Sequence, residues 1–188
     1  MKYDITKTIT KGAQRTLYAL SGAMFLLLEK NDFEGITVNE ICTFTNYPRA
    51  TFYNYFDDKY DLLNYCWYRL EQRIELDDYT GIAPEERIYV FFDRIYDLLD
   101  SEITAVQKIL EKNTESGYMF NSFRIYLGRR MVEIFRGCIS SNNYSIPKEI
   151  VADHYCNTLL LILKWAFRKD LSYSKTQAHK YLYYLLRS

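Results

Sequence analysis

The sequence predicts an all-helical fold, and three observations carry that expectation. Only seven Gly and three Pro occur in 188 residues, too few for the many turns of a β fold. Apolar residues recur at three- and four-residue steps along most of the chain, which is the spacing of one helix face. No run alternates apolar and polar residues between turn signals, as a half-buried strand would. Hydrophobic residues make up 48% and aromatics 17%, so a core can be buried. The expected arrangement is a three-helix helix-turn-helix domain followed by a larger helical domain, about nine helices in all.

Ala13, Leu17, Leu20, Met24, Leu27 and Leu28 mark the first helix, which should end near Asn31 and Asp32. After a short connection at 33–36, Thr37-Val38-Asn39-Glu40 has the form of a capping box. The Thr37 hydroxyl accepts the Glu40 N–H, and the Glu40 carboxylate accepts the Thr37 N–H. Val38, Ile41, Cys42 and Thr45 give this second helix an inward face barely two turns long. Asn46 tolerates the left-handed conformation that ends such a helix. Pro48 suits the first turn of a third short helix, roughly 48–55, because its missing N–H would lack an intrahelical partner there anyway. Asp58 and Asp61 have the spacing of a further cap. Behind them Leu63, Cys66, Trp67, Leu70 and Ile74 step along a long fourth helix. The polar stretch 77–84 ends in Pro and is the best linker. Helical stretches then follow near 85–100, 103–113, 118–139, 148–168 and 174–187. The expected division is a first domain at 1–57 and a second, helical one at 58–188, with the helix 58–76 connecting them.

Two short helices joined by a turn and braced between longer ones have the shape of a helix-turn-helix. The second short helix must enter a major groove about 12 Å wide, so its outer face should be polar. Arg49, Thr51, Tyr53, Asn54 and Tyr55 can supply that face. Ala50 keeps the backbone close to DNA, while Phe52 and Phe56 point to the core. Tyr53 and Tyr55 lie two apart on a helix and cannot both face one core. Net charge gives no support to this reading. The chain carries 24 Lys and Arg against 24 Asp and Glu, and the balance over residues 1–60 is also zero. Any DNA contact must rest on local geometry.

Residues 33–63, FEGITVNEICTFTNYPRATFYNYFDDKYDLL, resemble the DNA-binding signature of the tetracycline-repressor (TetR/AcrR) family. The matching elements are Thr37-Val38, Ile41, Thr51-Phe52-Tyr53, Phe56, Lys59 and Leu62-Leu63, and with the first helix the likeness spans about residues 8–65. The resemblance implies that Arg49, Ala50, Thr51 and Tyr53 face base edges or nearby phosphates. It implies that Thr37, Tyr55 and Lys59 contact the backbone, Lys59 as the phosphate-binding lysine at the start of the fourth helix. Three positions depart from the pattern. Pro48 replaces a capping Ser or Thr, Asn46 replaces the turn Gly, and Asp32 stands where a Gly ends the first helix. Leu163-Lys164-Trp165, Leu171-Ser172 and the closing helix resemble members whose last two helices form the dimer interface. Residues 93–110 resemble the central helices around a ligand cavity.

Other chemistry finds no foothold. Cys42, Cys66, Cys138 and Cys156 are isolated inside predicted helices and read as reduced, buried thiols. His154 and His179 each stand alone, without a recognisable triad or ligand set. No phosphate-loop, dinucleotide or zinc-hydrolase motif occurs. No metal, cofactor or catalytic residue is expected. With no signal peptide and no membrane-length apolar run, the expectation is a cytoplasmic protein without membrane association. Met119, Phe120, Phe123, Tyr126, Met131, Phe135 and Cys138 form a stripe that either lines an effector pocket or packs as ordinary core. Leu159, Leu163, Leu182 and Leu186 belong to helices apolar on more than one face, which points to burial against both their own domain and a second copy, and they are the residues expected at a dimer interface.

Two functions fit these residues. The preferred one is a homodimeric regulator, in this family usually a repressor, that binds a double-stranded DNA operator and is released by a small-molecule effector. The alternative is a TetR-like interaction or coactivator module that binds DNA weakly or not at all.

Overall fold

The computed structural model describes residues 10–74, 81–141, 146–168 and 173–187, apart from the side chains at 84, 134–141, 148 and 187. The described residues form nine α-helices and no strand. These are α1 (Lys11–Leu28), α2 (Val38–Thr45), α3 (Arg49–Tyr53), α4 (Lys59–Arg73), α5 (Arg87–Ser101), α6 (Ile103–Lys112), α7 (Tyr118–Ser141), α8 (Lys148–Ala166) and α9 (Lys175–Arg187). Single 3-10 turns stand at Phe33–Gly35 and Pro84–Glu86. No helix among the described residues is long and apolar enough to cross a membrane.

The chain forms two compact units, Met1–Leu70 with Lys108–Asn121, and Glu71–Gln107 with Ser122–Ser188. All three cuts, after Leu70, Gln107 and Asn121, fall inside helices. The segment Lys108–Asn121, which the sequence-based division put with the second domain, packs with the first unit.

In the first unit, Thr10 caps α1 by accepting the Ala13 N–H at 3.2 Å. Leu17, Leu20, Met24 and Leu28 are fully buried. They meet Phe33, Ile36, Ile41, Phe52, Phe56, Leu62 and Leu63, all at most 1% exposed. Each such side chain contributes about 1.5–3 kcal/mol of burial. Asp32, where a Gly was expected, caps the 3-10 turn by accepting the Glu34 N–H at 3.2 Å. The buried Asn113 fastens this corner. Its Oδ1 accepts the Phe33 N–H at 2.9 Å, and its Nδ2 donates to the carbonyls of Ile109, Leu28 and Asn31 at 3.0, 3.3 and 3.4 Å. The Phe33 ring stacks on Tyr118 with centroids 5.6 Å apart and meets Tyr60 edge-on at 5.3 Å.

In the second unit, Phe91, Phe92 and Ile95 of α5 are buried with Cys156, Leu159 and Leu163 of α8 and Ala178 and Leu182 of α9. The Tyr96 hydroxyl donates to the Tyr173 carbonyl at 2.8 Å, and its ring lies 4.9 Å from that of Phe167. Glu71 is buried, and its carboxylate pairs with Arg130 at 2.5 Å and accepts the Tyr126 hydroxyl. Cys42, Cys66 and Cys156 are free and buried. Burial pushes the thiols of Cys66 and Cys156 up, the latter to about 11, so neither forms a thiolate readily. Cys138 lies outside the described side chains.

The capping box at the start of α2 is present in full. The Glu40 N–H donates to Thr37 Oγ1 at 3.2 Å, and the Thr37 N–H donates to Glu40 Oε2 at 2.8 Å. The Thr37 hydroxyl also donates to Glu40 Oε2 at 2.7 Å. These bonds hold the Glu40 carboxyl below the usual carboxylate range. A lowered folded-state pKa means that this contribution is present above the unfolded value, near 4.5, and is lost as pH falls through the folded one. Thr37→Ala should therefore cost about 1 kcal/mol in urea denaturation at neutral pH. That difference should shrink on acidification below pH 4.5, whereas a constant difference would rule out the Glu40 contribution.

Candidate nucleic-acid interface

The turn between α2 and α3 depends on Asn46. Its φ of 56° and ψ of 32° place it in the left-handed region, the sole non-Gly residue there among the described residues. Its N–H and that of Tyr47 close the end of α2 on the Thr43 and Cys42 carbonyls at 3.3 and 3.1 Å. A side chain with a short amide tolerates this conformation where most would be strained. Pro48 is the N-cap of α3 and supplies no side-chain cap. It therefore stands one residue before the first helical position expected for it. Its carbonyl accepts the Thr51 N–H at 2.9 Å, so the helix starts without the lost Ser or Thr. α3 itself is shorter than expected, five residues, with Asn54 and Tyr55 forming a turn behind it.

The helix divides cleanly. Phe52, like Phe56 just beyond, is completely buried. Arg49, Ala50, Tyr53 and Asn54 are exposed, and Thr51 and Tyr55 are half-buried. Of the two tyrosines, Tyr53 is the more open. Arg49 Nη2 donates to the Tyr53 hydroxyl at 3.3 Å, and the guanidinium carbon lies 5.9 Å from that ring's centre. Arg49, Ala50, Thr51, Tyr53 and Asn54 thus form one polar surface with Tyr55 at its margin. Thr37 is exposed, but its hydroxyl is already engaged with Glu40 in both directions.

Lys59 is drawn inward. Its Nζ donates to the carbonyls of Glu34 at 2.8 Å and Phe33 at 3.0 Å, and it stands 3.7 Å from the Glu34 carboxylate. The ammonium also lies 4.7 Å from the Phe33 ring centre and 5.3 Å from that of Tyr60. Its side chain is only 13% exposed. An ammonium has three donors, and these partners take them inward. The Glu34 carboxylate, which also accepts the Tyr60 hydroxyl at 3.1 Å, places negative charge where a phosphate would have to approach.

Three of the four leucines expected at a dimer interface are core residues. Leu159, Leu163 and Leu182 are at most 4% exposed within their own unit, and Leu186 is half-buried. The reason is that α8 and α9 pack on each other and on α5, which consumes those faces. The exposed apolar residues are different ones: Ile150, Leu161 and Trp165 on α8, and Tyr181, Tyr183, Tyr184 and Leu185 on α9. The first three fall within about 60° of helix rotation at 3.6 residues per turn. That spacing was visible, but helices apolar on several faces do not declare which face turns outward.

The expected effector stripe is divided. Met119, which is buried, and Phe120 belong to the first unit, while Phe123 and Tyr126 belong to the second. Tyr126 serves the buried Glu71 carboxylate. Phe135 lies outside the described side chains. His179 pairs with Asp93 at 3.1 Å and stacks on Tyr89. No cluster of metal-ligating residues occurs among the described residues.

No protein-family model and no curated protein matches the chain. Solved structures share its fold. A Clostridium perfringens protein assigned to the regulation of fatty acid metabolism superposes with a TM-score of 0.62 at 16% identity, covering 90% of this chain and 97% of that one. The fatty acid degradation regulator FadR from Bacillus halodurans gives 0.59 at 16%, with 96% of each chain covered. The dihydroxyacetone kinase operon activator DhaS gives 0.56 at 18%, with 92% and 94% covered. At these identities the likeness is one of fold.

The position of Lys59 generates a direct expectation. Lys59→Met should destabilise the protein by roughly 1–3 kcal/mol in urea denaturation, because two carbonyls lose a charged donor. A variant as stable as the wild type would return Lys59 to the solvent-facing role that the resemblance implied.

Proposed function

We propose that the chain is a dimeric, DNA-binding transcription regulator of the tetracycline-repressor type, acting as a repressor released by a small-molecule effector. One observation carries the proposal: a short helix with its aromatic side buried to 0% exposure at Phe52 and an exposed polar side of Arg49, Ala50, Tyr53 and Asn54. A left-handed Asn46 sets it behind a capped α2. That is the geometry by which a helix-turn-helix presents side chains to base edges. The fold shared with FadR and with the activator DhaS supports the regulatory reading. The effector and the repressor sign rest on the sequence resemblance alone.

A two-headed reader needs a second copy, and the exposed face of α8 and α9 suits one. Ile150, Leu161, Trp165, Tyr181, Tyr184 and Leu185 are each at least 38% exposed, a concentration of apolar surface that a soluble monomer rarely leaves open. Pairing these faces about a two-fold axis buries the same patch on both copies.

The alternative, an interaction module with little DNA affinity, gains from Lys59. Its charge is committed to Phe33 and Glu34, and the net charge of the whole chain, Lys59 included, is zero. Genomic selection separates the two. Fragments bound by the regulator should carry a pseudo-palindrome with half-site centres about 34–36 Å apart, or a multiple. Arg49→Ala should cost about 1–3 kcal/mol and relax one base position per half-site. Failure to enrich any fragment favours the interaction module.

For the dimer, Leu161→Glu with Trp165→Glu should give folded monomers in sedimentation at micromolar protein, with the helical circular dichroism retained and a melting temperature that no longer depends on protein concentration. Leu163→Glu should instead unfold the second unit. A wild-type protein sedimenting as a monomer would end the dimer proposal.

A further inference from the structure

Arg49 is the first residue of α3 and its side chain is exposed, so the backbone fixes its Cα without fixing the direction of the long side chain. A neighbouring side chain supplies one. Arg49 and Tyr53 are i and i+4 on the helix and share its exposed face. The 3.3 Å bond from Arg49 Nη2 to the Tyr53 hydroxyl ties the guanidinium to the ring. The ring in turn stands edge-on against Phe52, centroids 5.4 Å apart at 85°, and Phe52 is fully buried. A continuous run of contacts therefore links the core, through Phe52 and Tyr53, to the tip of Arg49.

This tether restricts the guanidinium without exhausting it. Arginine has five N–H donors in one planar fork, and the bond to Tyr53 uses one of them. Pairing with guanine O6 and N7 needs only two. What the tether limits is the orientation of the fork, and orientation decides whether a base is read by two bonds or brushed by one. A freely turning Arg49 would still attract DNA by charge, but it would distinguish bases poorly.

We infer that Tyr53 is a positioning residue that sets the base preference of Arg49. The inference rests on the DNA-reading role of α3 proposed above. It assigns Tyr53 a part in specificity, distinct from general affinity for the backbone.

The test uses an operator recovered with the full-length wild-type protein. Relative affinity for each base at each half-site position is measured at one salt concentration for wild type, Tyr53→Phe, Arg49→Ala and the double variant. Tyr53→Phe keeps the ring and its contact with Phe52, and an unchanged melting profile verifies the fold. A bidentate pair supports roughly 5–150-fold discrimination, and Tyr53→Phe should remove about threefold to tenfold of it at the position Arg49→Ala relaxes. Other positions should hold, and the double variant should lose nothing there beyond Arg49→Ala alone. Uniform weakening at every base, which a phosphate contact by Tyr53 would give, overturns the inference. So does an unchanged preference in Tyr53→Phe while the wild type selects normally. A wild-type protein that selects no sequence removes the DNA-reading role itself, and the inference with it.

Discussion

Phe33 is the point at which the first unit is fastened. Its N–H goes to Asn113, its carbonyl accepts the Lys59 ammonium, and its ring lies against Tyr60 and Tyr118. The end of α1, the start of α4 and the segment after α6 meet there. Residues 36–58, which include both short helices, are held between those fixed ends. A buried amide left without its acceptor costs about 1–3 kcal/mol, so the Asn113 bond to Phe33 is a strong constraint on where that segment begins. Asn113 meets the same demand at the end of α1, where a helix leaves carbonyls without intrahelical donors. The position of α3 follows from this corner and from Phe52 and Phe56 beneath it.

The same corner shapes the electrostatics of any nucleic-acid contact. A lysine that could have met a phosphate is used to close the protein on itself, and Glu34 sits beside it. Exposed cationic charge on α3 then comes from Arg49. A protein built this way relies on the orientation of few groups more than on a broad positive field, in keeping with its zero net charge. Contacts to bases specify, while contacts to phosphates mainly position and strengthen.

Local signals were readable from the chain and long-range ones were not. The capping box of Thr37 and Glu40, the left-handed Asn46, and the inward Phe52 and Phe56 each depend on neighbours within a few residues, so spacing alone announces them. The contacts of Lys59 with Phe33 and of Asn113 with Leu28 bridge 26 and 85 residues. No periodicity encodes such a pairing, and a lysine at a familiar position looks the same whether it points in or out. The leucines of α8 and α9 show a related limit. Their apolarity was evident, but only packing against α5 decides that Leu159, Leu163 and Leu182 are core while Leu161 and Trp165 face outward. The stripe from Met119 to Tyr126 reads as one face of one helix, yet that helix crosses between two units.

The most direct measurement of whether α3 serves DNA is the affinity of the wild-type protein for a genomic operator across a range of salt concentrations. Log affinity is expected to fall linearly with log salt, with a slope of about 0.9 for each phosphate neutralised, and to exceed the affinity for unrelated duplex throughout. Absence of salt-dependent binding at low ionic strength would contradict a DNA-reading role and leave the fold to an interaction function.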